Sequence, residues 1–393
     1  MRGSRLAYIS FDTVPAPKGA ATHIQAFART LAGAFGAVDL VSVRDGAGVS
    51  LTERWPGISH TELSATGDTL IDRVLCFRRF LAHWLRNRHF DAIQFRSIFE
   101  GLPLLELSGR TRLIFEVNGL PSIELKYRYP GVEDDRELMR KVEAQEQACL
   151  NAADMVITPS AVTRQYLIST RRVSPGKVKV IANGVDAEMF RPREPDADGV
   201  LRLLYFGTLS AWQGVELGIR ALAQIRCQVP AEFTVIGAGS GSEQAALTAL
   251  ADRLGVGDYV HVLPAMPQAE LMEHLCESDA VLAPLTLNDR NLVQGCCPLK
   301  IIEGMAAGAV VIASNLPVVR ELGSDGVHFL LVKPGSVDQI AQAVLQIAAD
   351  PSLANRIADQ ARARVLTHYT WDRSGDELVR SYEELGIKRV SNA

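Results

Sequence analysis

No sign of charge predominates in this chain. Its 393 residues carry 41 Lys and Arg against 45 Asp and Glu, a net charge of −4. That balance lacks the positive excess expected of a nucleic-acid-binding domain. No stretch of about 18 uninterrupted apolar residues occurs, so no membrane-crossing helix is expected. The start, Met1-Arg2-Gly3-Ser4-Arg5, runs directly into a strand pattern rather than into the apolar core of a secretion signal. The six cysteines, Cys76, Cys149, Cys227, Cys276, Cys296 and Cys297, form no CxxC pair and no zinc-ligand spacing. Reduced thiols in a cytoplasmic chain are therefore expected. No short-period repeat is present.

What is present is an ordinary globular mixture, 47% hydrophobic and 22% charged, which excludes a largely disordered chain. The length predicts roughly two to three domains. Strand-length apolar runs alternate with helix-length amphipathic segments throughout. Strands are expected at 5–11, 38–43, 91–96, 112–117, 154–159 and 178–182, with helices at 20–35, 68–88 and 133–152. Several of these strands are apolar on both faces, as a buried parallel sheet requires. A polar stretch at 186–199, with Pro192 and Pro195, reads as a linker. The alternation then restarts, with strands at 201–206, 232–236, 259–263, 279–283, 310–313 and 327–332. Helices are expected at 214–228, 243–254 and 299–307, then at 337–349, 351–367 and 371–385. Two successive α/β arrays predict two doubly wound, Rossmann-like domains. Their ligands would sit at the strand carboxyl ends, in the cleft between the domains.

Five segments are candidates for chemistry. Phe206 to Gly214 runs from a strand into a helix start, whose amides suit a phosphate; Ser210 and Gln213 also stand at capping-box spacing. Gly237-Ala238-Gly239 ends the next strand, but Ser242 occupies the third glycine position of a dinucleotide fingerprint. Pro298 or Leu299 opens a helix that places Lys300 and Glu303 at its start. Lysine is unfavourable at that end unless an anion binds there. The loop before the first helix contains Lys18, Gly19 and Ala20, small residues that admit a ligand to the backbone, followed by His23 as a catalytic candidate or an ordinary cap. Glu116 and Asn118 share a face at the end of a central strand, with Asn118-Gly119 also a turn signal. Segment 68–88 carries Ile71, Val74, Phe77, Leu81 and Trp84 at helical spacing among Arg73, Arg79, Arg86 and Arg88. It reads either as a sheet-covering helix or as a surface for anionic lipid.

In order and at these spacings, the segments resemble glycosyltransferase family 4, retaining enzymes of the GT-B fold. Asn183-Gly184-Val185-Asp186 followed by Phe190 is similar to its "NGVD…F" segment, Gly207 to Gly214 to "GRL…KG", Val235 to Gly239 to "iiGdG", and Pro298 to Ser314 to its "P.KllEamA.G" helix and strand. The resemblance implies an acceptor-side domain at 1–188, a donor domain at 189–370, and a terminal helix at 371–393 that crosses back. It implies transfer of a sugar from a nucleoside diphosphate donor to an acceptor hydroxyl. The acceptor would be a glycan, a lipid-linked sugar or a small molecule, and peripheral membrane contact would follow for a lipid. No metal or other cofactor is implied. Glu303 matches the second carboxylate of the family's E-x7-E pair, which takes the donor ribose. Gly207, Thr208, Gln213, Gly237, Gly239, Arg290, Pro298 and Leu299 would join it on the donor. Glu116, Asn118 and Lys300 fall at the catalytic positions. This chain departs from the family at four places: Thr208 and Gln213 stand where it has Arg and Lys, Gly295 where it has the first Glu, and Glu116 where it has a His near the end of a first-domain strand. Lys300, with Arg290 from the preceding loop, is expected to supply the missing charge. A non-catalytic nucleotide-binding or scaffold relative is the alternative that these departures keep open. A nucleotide-dependent epimerase or a dinucleotide oxidoreductase is a further one.

Overall fold

A computed structural model describes residues 4–44, 49–190 and 199–390. The first lobe is an eight-stranded sheet. Its strands are β1 (Leu6–Thr13), β2 (Val38–Arg44), β3 (Val49–Trp55), β4 (Ile58–Ser64), β5 (Ala92–Phe95), β6 (Arg112–Glu116), β7 (Met155–Thr158) and β8 (Val178–Val180). They lie in the order β3-β4-β2-β1-β5-β6-β7-β8 and are parallel except for the edge strand β3. The second lobe holds β9 (Leu201–Thr208), β10 (Ala231–Ala238), β11 (Val260–Pro264), β12 (Ala280–Ala283), β13 (Val310–Ser314) and β14 (Leu330–Val332). Their order is β11-β10-β9-β12-β13-β14, parallel throughout. The strand order reverses beside β1 in one sheet and beside β9 in the other. A crevice opens at the carboxyl end of a parallel sheet where this happens. The loops after β1, β5 and β6 therefore face those after β9 and β12.

The hairpin β3–β4 is not among the expected strands. Thr61 and Glu62 interrupt its apolar pattern, and the buried His60 is held there by Ser42 Oγ at 2.8 Å from its Nε2. A helix at Pro121–Arg128 is also unexpected, and the helix expected from 133 begins at Arg136, where Asp135 accepts the Leu138 amide at 2.9 Å. Of the expected linker, residues 191–198 lie outside the described residues. The basic amphipathic segment forms the helix Leu70–Leu85; Val74, Phe77, Leu81 and Trp84 are buried, and the last three enter the first-lobe core. Its apolar stripe thus covers the sheet. Ile71 instead points outward, together with Leu75. Among the described residues, no helix is long and apolar enough to cross a membrane.

The chain ends on the lobe where it began. Tyr369 and Trp371 exchange backbone hydrogen bonds with Val185 at 2.9 and 3.1 Å, and the helix Trp371–Glu384 then packs against the helix Gly19–Phe35. Leu378, Val379 and Tyr382 share one buried cluster with Phe27, Leu31 and Phe35. The crossing is tight. A Cβ on Gly184 would lie 2.4 Å from the Thr370 carbonyl carbon and the Trp371 nitrogen, with only backbone to give way. Gly184→Ala is accordingly expected to cost ~1–3 kcal/mol as an overpacking change. Urea unfolding checks this, and a wild-type midpoint would show that the crossing has slack.

Candidate active site

The two sets of loops enclose a cleft of about 780 Å³. From the first lobe it is lined by Lys18, Gly19, Ala20, His23 and Asn118; from the second by Gly207, Thr208, Gln213, Gly237, Arg290, Pro298, Leu299, Lys300 and Glu303. Two expected residues do not line it. Gly239 packs instead on Leu209, whose Cβ an added methyl would meet at 2.9 Å. Glu116 lies behind the wall, 1% exposed.

On the donor side, Pro298 precedes the helix Leu299–Ala307, and Lys300 falls in its first turn with Glu303 just after. Both side chains are buried. The Lys300 ammonium donates to Gln213 Oε1 at 2.7 Å and lies 3.9 Å from the centre of the Tyr205 ring. Gly207, with φ of +129°, passes so close that an added Cβ would lie 3.3 Å from Lys300 Nζ. Its bare backbone leaves the ammonium room. The Ser210–Gln213 capping box is not formed: Ser210 makes no side-chain cap, Gly214 begins the next helix in the left-handed region, and Gln213 turns to Lys300. Burial, reinforced by the Arg290 charge, lowers the Lys300 pKa to about 7. Burial raises that of Glu303 to about 7, with Lys300 opposing. Gln268 Nε2 donates to Glu303 Oε1 at 3.2 Å, and Thr22 Oγ1 of the first lobe donates to Gln268 Oε1 at 3.3 Å. Glu303 is thereby bridged across the mouth of the cleft.

On the first-lobe side, Glu116 is a structural anchor. Gln94 Nε2 donates to its Oε2 at 2.6 Å, Arg96 Nε to its Oε1 at 3.0 Å, and Tyr8 and Asn118 donate to it as well. The charges of His23 and Arg96 outweigh its burial and hold its pKa far below the carboxylate range. Enclosed by these partners behind the wall, Glu116 does not reach the cleft, where the expected catalytic assignment would have put it. His23 is neither a surface residue nor a cap. It is 3% exposed, and its Nδ1 lies 2.8 Å from Asn183 Oδ1. Asn183 Nδ2 donates to the Cys297 carbonyl at 2.7 Å, so Oδ1 is left to accept and His23 Nδ1 donates. The other ring nitrogen, Nε2, sits 2.9 Å from Glu116 Oε1 but is not lined up for a hydrogen bond, so that contact is mainly Coulombic.

Arg290, expected to supply charge to the donor from its loop, lines the cleft and is paired with Glu124 of the first lobe, Nε to Oε1 at 2.9 Å. Cys296 and Cys297 are buried thiols with raised pKa values, Cys297 to about 12 through burial, and neither is activated. Gly295 has φ of +85°, and a Cβ there would lie 2.7 Å from Thr163 N and Oγ1 and 2.9 Å from Ser160 Oγ. The lobes meet on this residue, which accounts for the lost glutamate. Arg96, Asn183, Gln268 and Glu124 belong to the site without being singled out by the sequence. Arg96 directly follows β5 and Asn183 sits within the "NGVD" segment, so both carry a signal. Gln268 and Glu124 lie on helices and carry none. Among the described residues, no group of three His, Cys, Asp or Glu side chains is placed to hold a metal.

Two facing parallel-sheet lobes with a ligand-sized cleft define a GT-B glycosyltransferase fold. Residues 17–189 match the model described as Glycosyltransferase Family 4, and residues 201–350 that of Glycosyl transferases group 1. The chain belongs to this glycosyltransferase family. It is 30% identical over 254 residues to a D-inositol 3-phosphate glycosyltransferase of Frankia alni, a match covering 60% of each protein. It thus spans about 60% of the length of the curated relatives it matches. Sucrose-phosphate synthase of Thermosynechococcus elongatus superposes with a TM-score of 0.82 at 21% identity, over 98% of this chain and 99% of that one. Anabaena HepE, solved in complex with UDP-glucose, does so with a TM-score of 0.76 at 17% identity, over 97% and 100%. These last two establish likeness of fold.

Restoring a glutamate at 295 is expected to disrupt the lobe contact rather than repair the site. Gly295→Glu should lower stability by ~1–3 kcal/mol from backbone strain alone, read as a fall in Tm. A variant as stable as the wild type and better at binding nucleotide would overturn this account.

Proposed function

We propose that the protein transfers a sugar from a nucleoside diphosphate sugar to an acceptor hydroxyl, with retention at the anomeric carbon. The observation that carries this reading is the buried Lys300–Glu303 pair at one helix start, opposite the bare backbone of Gly207. The cleft would take the donor on the second lobe. Glu303 can accept hydrogen bonds from both hydroxyls of a ribose. The helix amides at Leu299 and Lys300, the Lys300 ammonium and Arg290 would face the diphosphate. The acceptor would approach from the first lobe, past His23, Asn118 and Lys18.

Bond breaking leaves the anomeric oxygen on the nucleoside diphosphate, and the acceptor oxygen replaces it on the same face. The acceptor proton passes to the departing phosphate oxygen. No protein nucleophile is required. The protein's part is to stabilise the charge growing on the leaving group, which is often the main source of an enzyme's rate enhancement. The UDP-glucose complex of HepE supports a donor of this class. Action in the cytoplasm on a glycan, a lipid-linked sugar or a small molecule, within polysaccharide or glycoconjugate synthesis, fits the reading. Thr208 and Gln213, in place of two cations, favour a second reading, a nucleotide-binding relative without turnover.

Calorimetry with UDP, GDP, ADP and dTDP tests the proposal. One of them should bind, and Glu303→Ala should lose that binding; no binding by any would remove the donor reading. Lys300→Met should raise the donor KM and lower kcat by about 10²–10³, whereas a protein without turnover would show no sugar transfer to compare.

A pH dependence follows from the same lysine. An anion arriving beside Lys300 raises its pKa from about 7, so binding takes up a proton above that pH. The lysine's share of nucleotide affinity should therefore fall as pH rises through 7, opposed by ionisation of Glu303 over the same range, and Lys300→Met should remove the falling component while Glu303→Gln leaves it. Calorimetry at pH 8 in buffers of different ionisation enthalpy measures the uptake directly.

A further inference from the structure

Arg290, whose charge acts on Lys300, is not held by its own lobe alone. The segment joining β12 to the helix Leu299–Ala307 contains a single π-helical turn, Arg290–Gln294. Such turns are uncommon and cluster at functional sites. The helix Pro121–Arg128 of the first lobe grips this turn. Glu124 Oε1 accepts from both Arg290 Nε and Gln294 Nε2, each at 2.9 Å. Gln294 Oε1 accepts the Leu120 amide at 2.8 Å, and Lys126 Nζ reaches Asp289 Oδ2 at 2.6 Å. Glu124 itself is seated against Gly119, where a Cβ would fall 2.5 Å from its Oε1. The glycine leaves the space that the carboxylate fills.

Resting on the nucleoside diphosphate reading of the cleft, we infer that Glu124 is a positioning residue for the donor. It aims the Arg290 guanidinium at the diphosphate, so that one lobe sets the charge with which the other receives the leaving group. A guanidinium has five N–H groups. Glu124 takes the one on Nε, Nη1 makes a long contact of 3.4 Å with Asn291, and the buried Cys296 thiol lies against the same guanidinium. The outer nitrogens keep donors for a ligand in the cleft that Arg290 lines. Arg290 and Lys300 converge closely enough for the first to depress the pKa of the second. Two cations brought together in a partly dry cleft repel unless an anion lies between them. Glu124, which also lines the cleft, holds one of them by its Nε and leaves the outer nitrogens of the guanidinium to the ligand. The position also supplies charge in a site where Thr208 and Gln213 supply none.

The test uses the full-length protein, the nucleoside diphosphate that the calorimetric panel selects, and the corresponding nucleoside. Glu124→Ala should weaken the diphosphate by about tenfold, the scale of a charge-assisted hydrogen bond, while leaving nucleoside affinity within about twofold. Glu124→Gln keeps an accepting oxygen and should recover part of the loss. Adding Glu124→Ala to Arg290→Gln should weaken binding no further than Arg290→Gln alone. Equal losses for nucleoside and diphosphate would show a merely structural bridge and overturn the inference. So would unchanged or tighter diphosphate binding, since Glu124 would then compete with the ligand for Arg290. If the wild type binds no nucleotide, the donor reading falls and takes this inference with it; if it binds and Glu124→Ala is indifferent, the inference alone falls.

Discussion

The hydrogen bond from Asn183 to the Cys297 carbonyl joins the lobes at the point on which the cleft is built. It fixes which way the Asn183 amide faces, and so which group His23 Nδ1 can meet. On the far side of the ring lies Glu116, and behind it Gln94 and Arg96. Tyr382, from the returning terminal helix, donates to Gln94 at 2.7 Å. A single polar chain thus runs from the last helix, through the first sheet, to the residue before Pro298. Every member is buried or nearly so, and a buried polar group left unpaired is costly. The network therefore holds the first-lobe wall and the donor-helix start in one arrangement.

A second line of contact runs beside it. Glu321 of the second lobe accepts the Ala161 and Val162 amides at 2.9 and 2.7 Å, capping a first-lobe helix. Gly295 rests on Ser160 and Thr163 next to that cap. A carboxylate at a helix N-terminus both satisfies free amides and meets the positive end of the dipole. The departure from the family at 295 belongs to this contact. The glycine is demanded by a positive φ and by a neighbouring lobe, not by the sugar.

Legibility from sequence follows the reach of each signal. The parallel strands are legible because burial on both faces makes them near-continuous apolar runs, as in β12 and β13. The hairpin β3–β4 is not, since Thr61 and Glu62 break the apolar run of β4 and its buried His60 is paired with Ser42 inside the sheet. Lys300 and Glu303 stand out because their helix begins at a proline, where a lysine is locally out of place. Glu116 lies on the expected strand but has a different task. Sequence shows that a carboxylate ends β6; it does not show the Arg96, Gln94 and Tyr8 that surround it. Glu124 and Gln268 act across the lobes, and no local pattern encodes a partner some 170 or 246 residues away.

Lys300 and Glu303 are a poor choice for stability. Charged pairs taken out of water seldom recover the full cost of desolvation, and well-packed apolar residues of similar size often serve a fold better. Here burial moves both pKa values toward 7 and so weakens the charge on each. The pair itself is then close to neutral, with Gln213 and Gln268, two uncharged amides, as the hydrogen-bond partners. An arginine and a lysine at 208 and 213 would have placed two more cations beside Lys300 and pressed its pKa lower still. Their absence and the burial of Lys300 therefore belong together: with fewer cations in the cleft, the remaining lysine lies within reach of protonation by an anionic ligand.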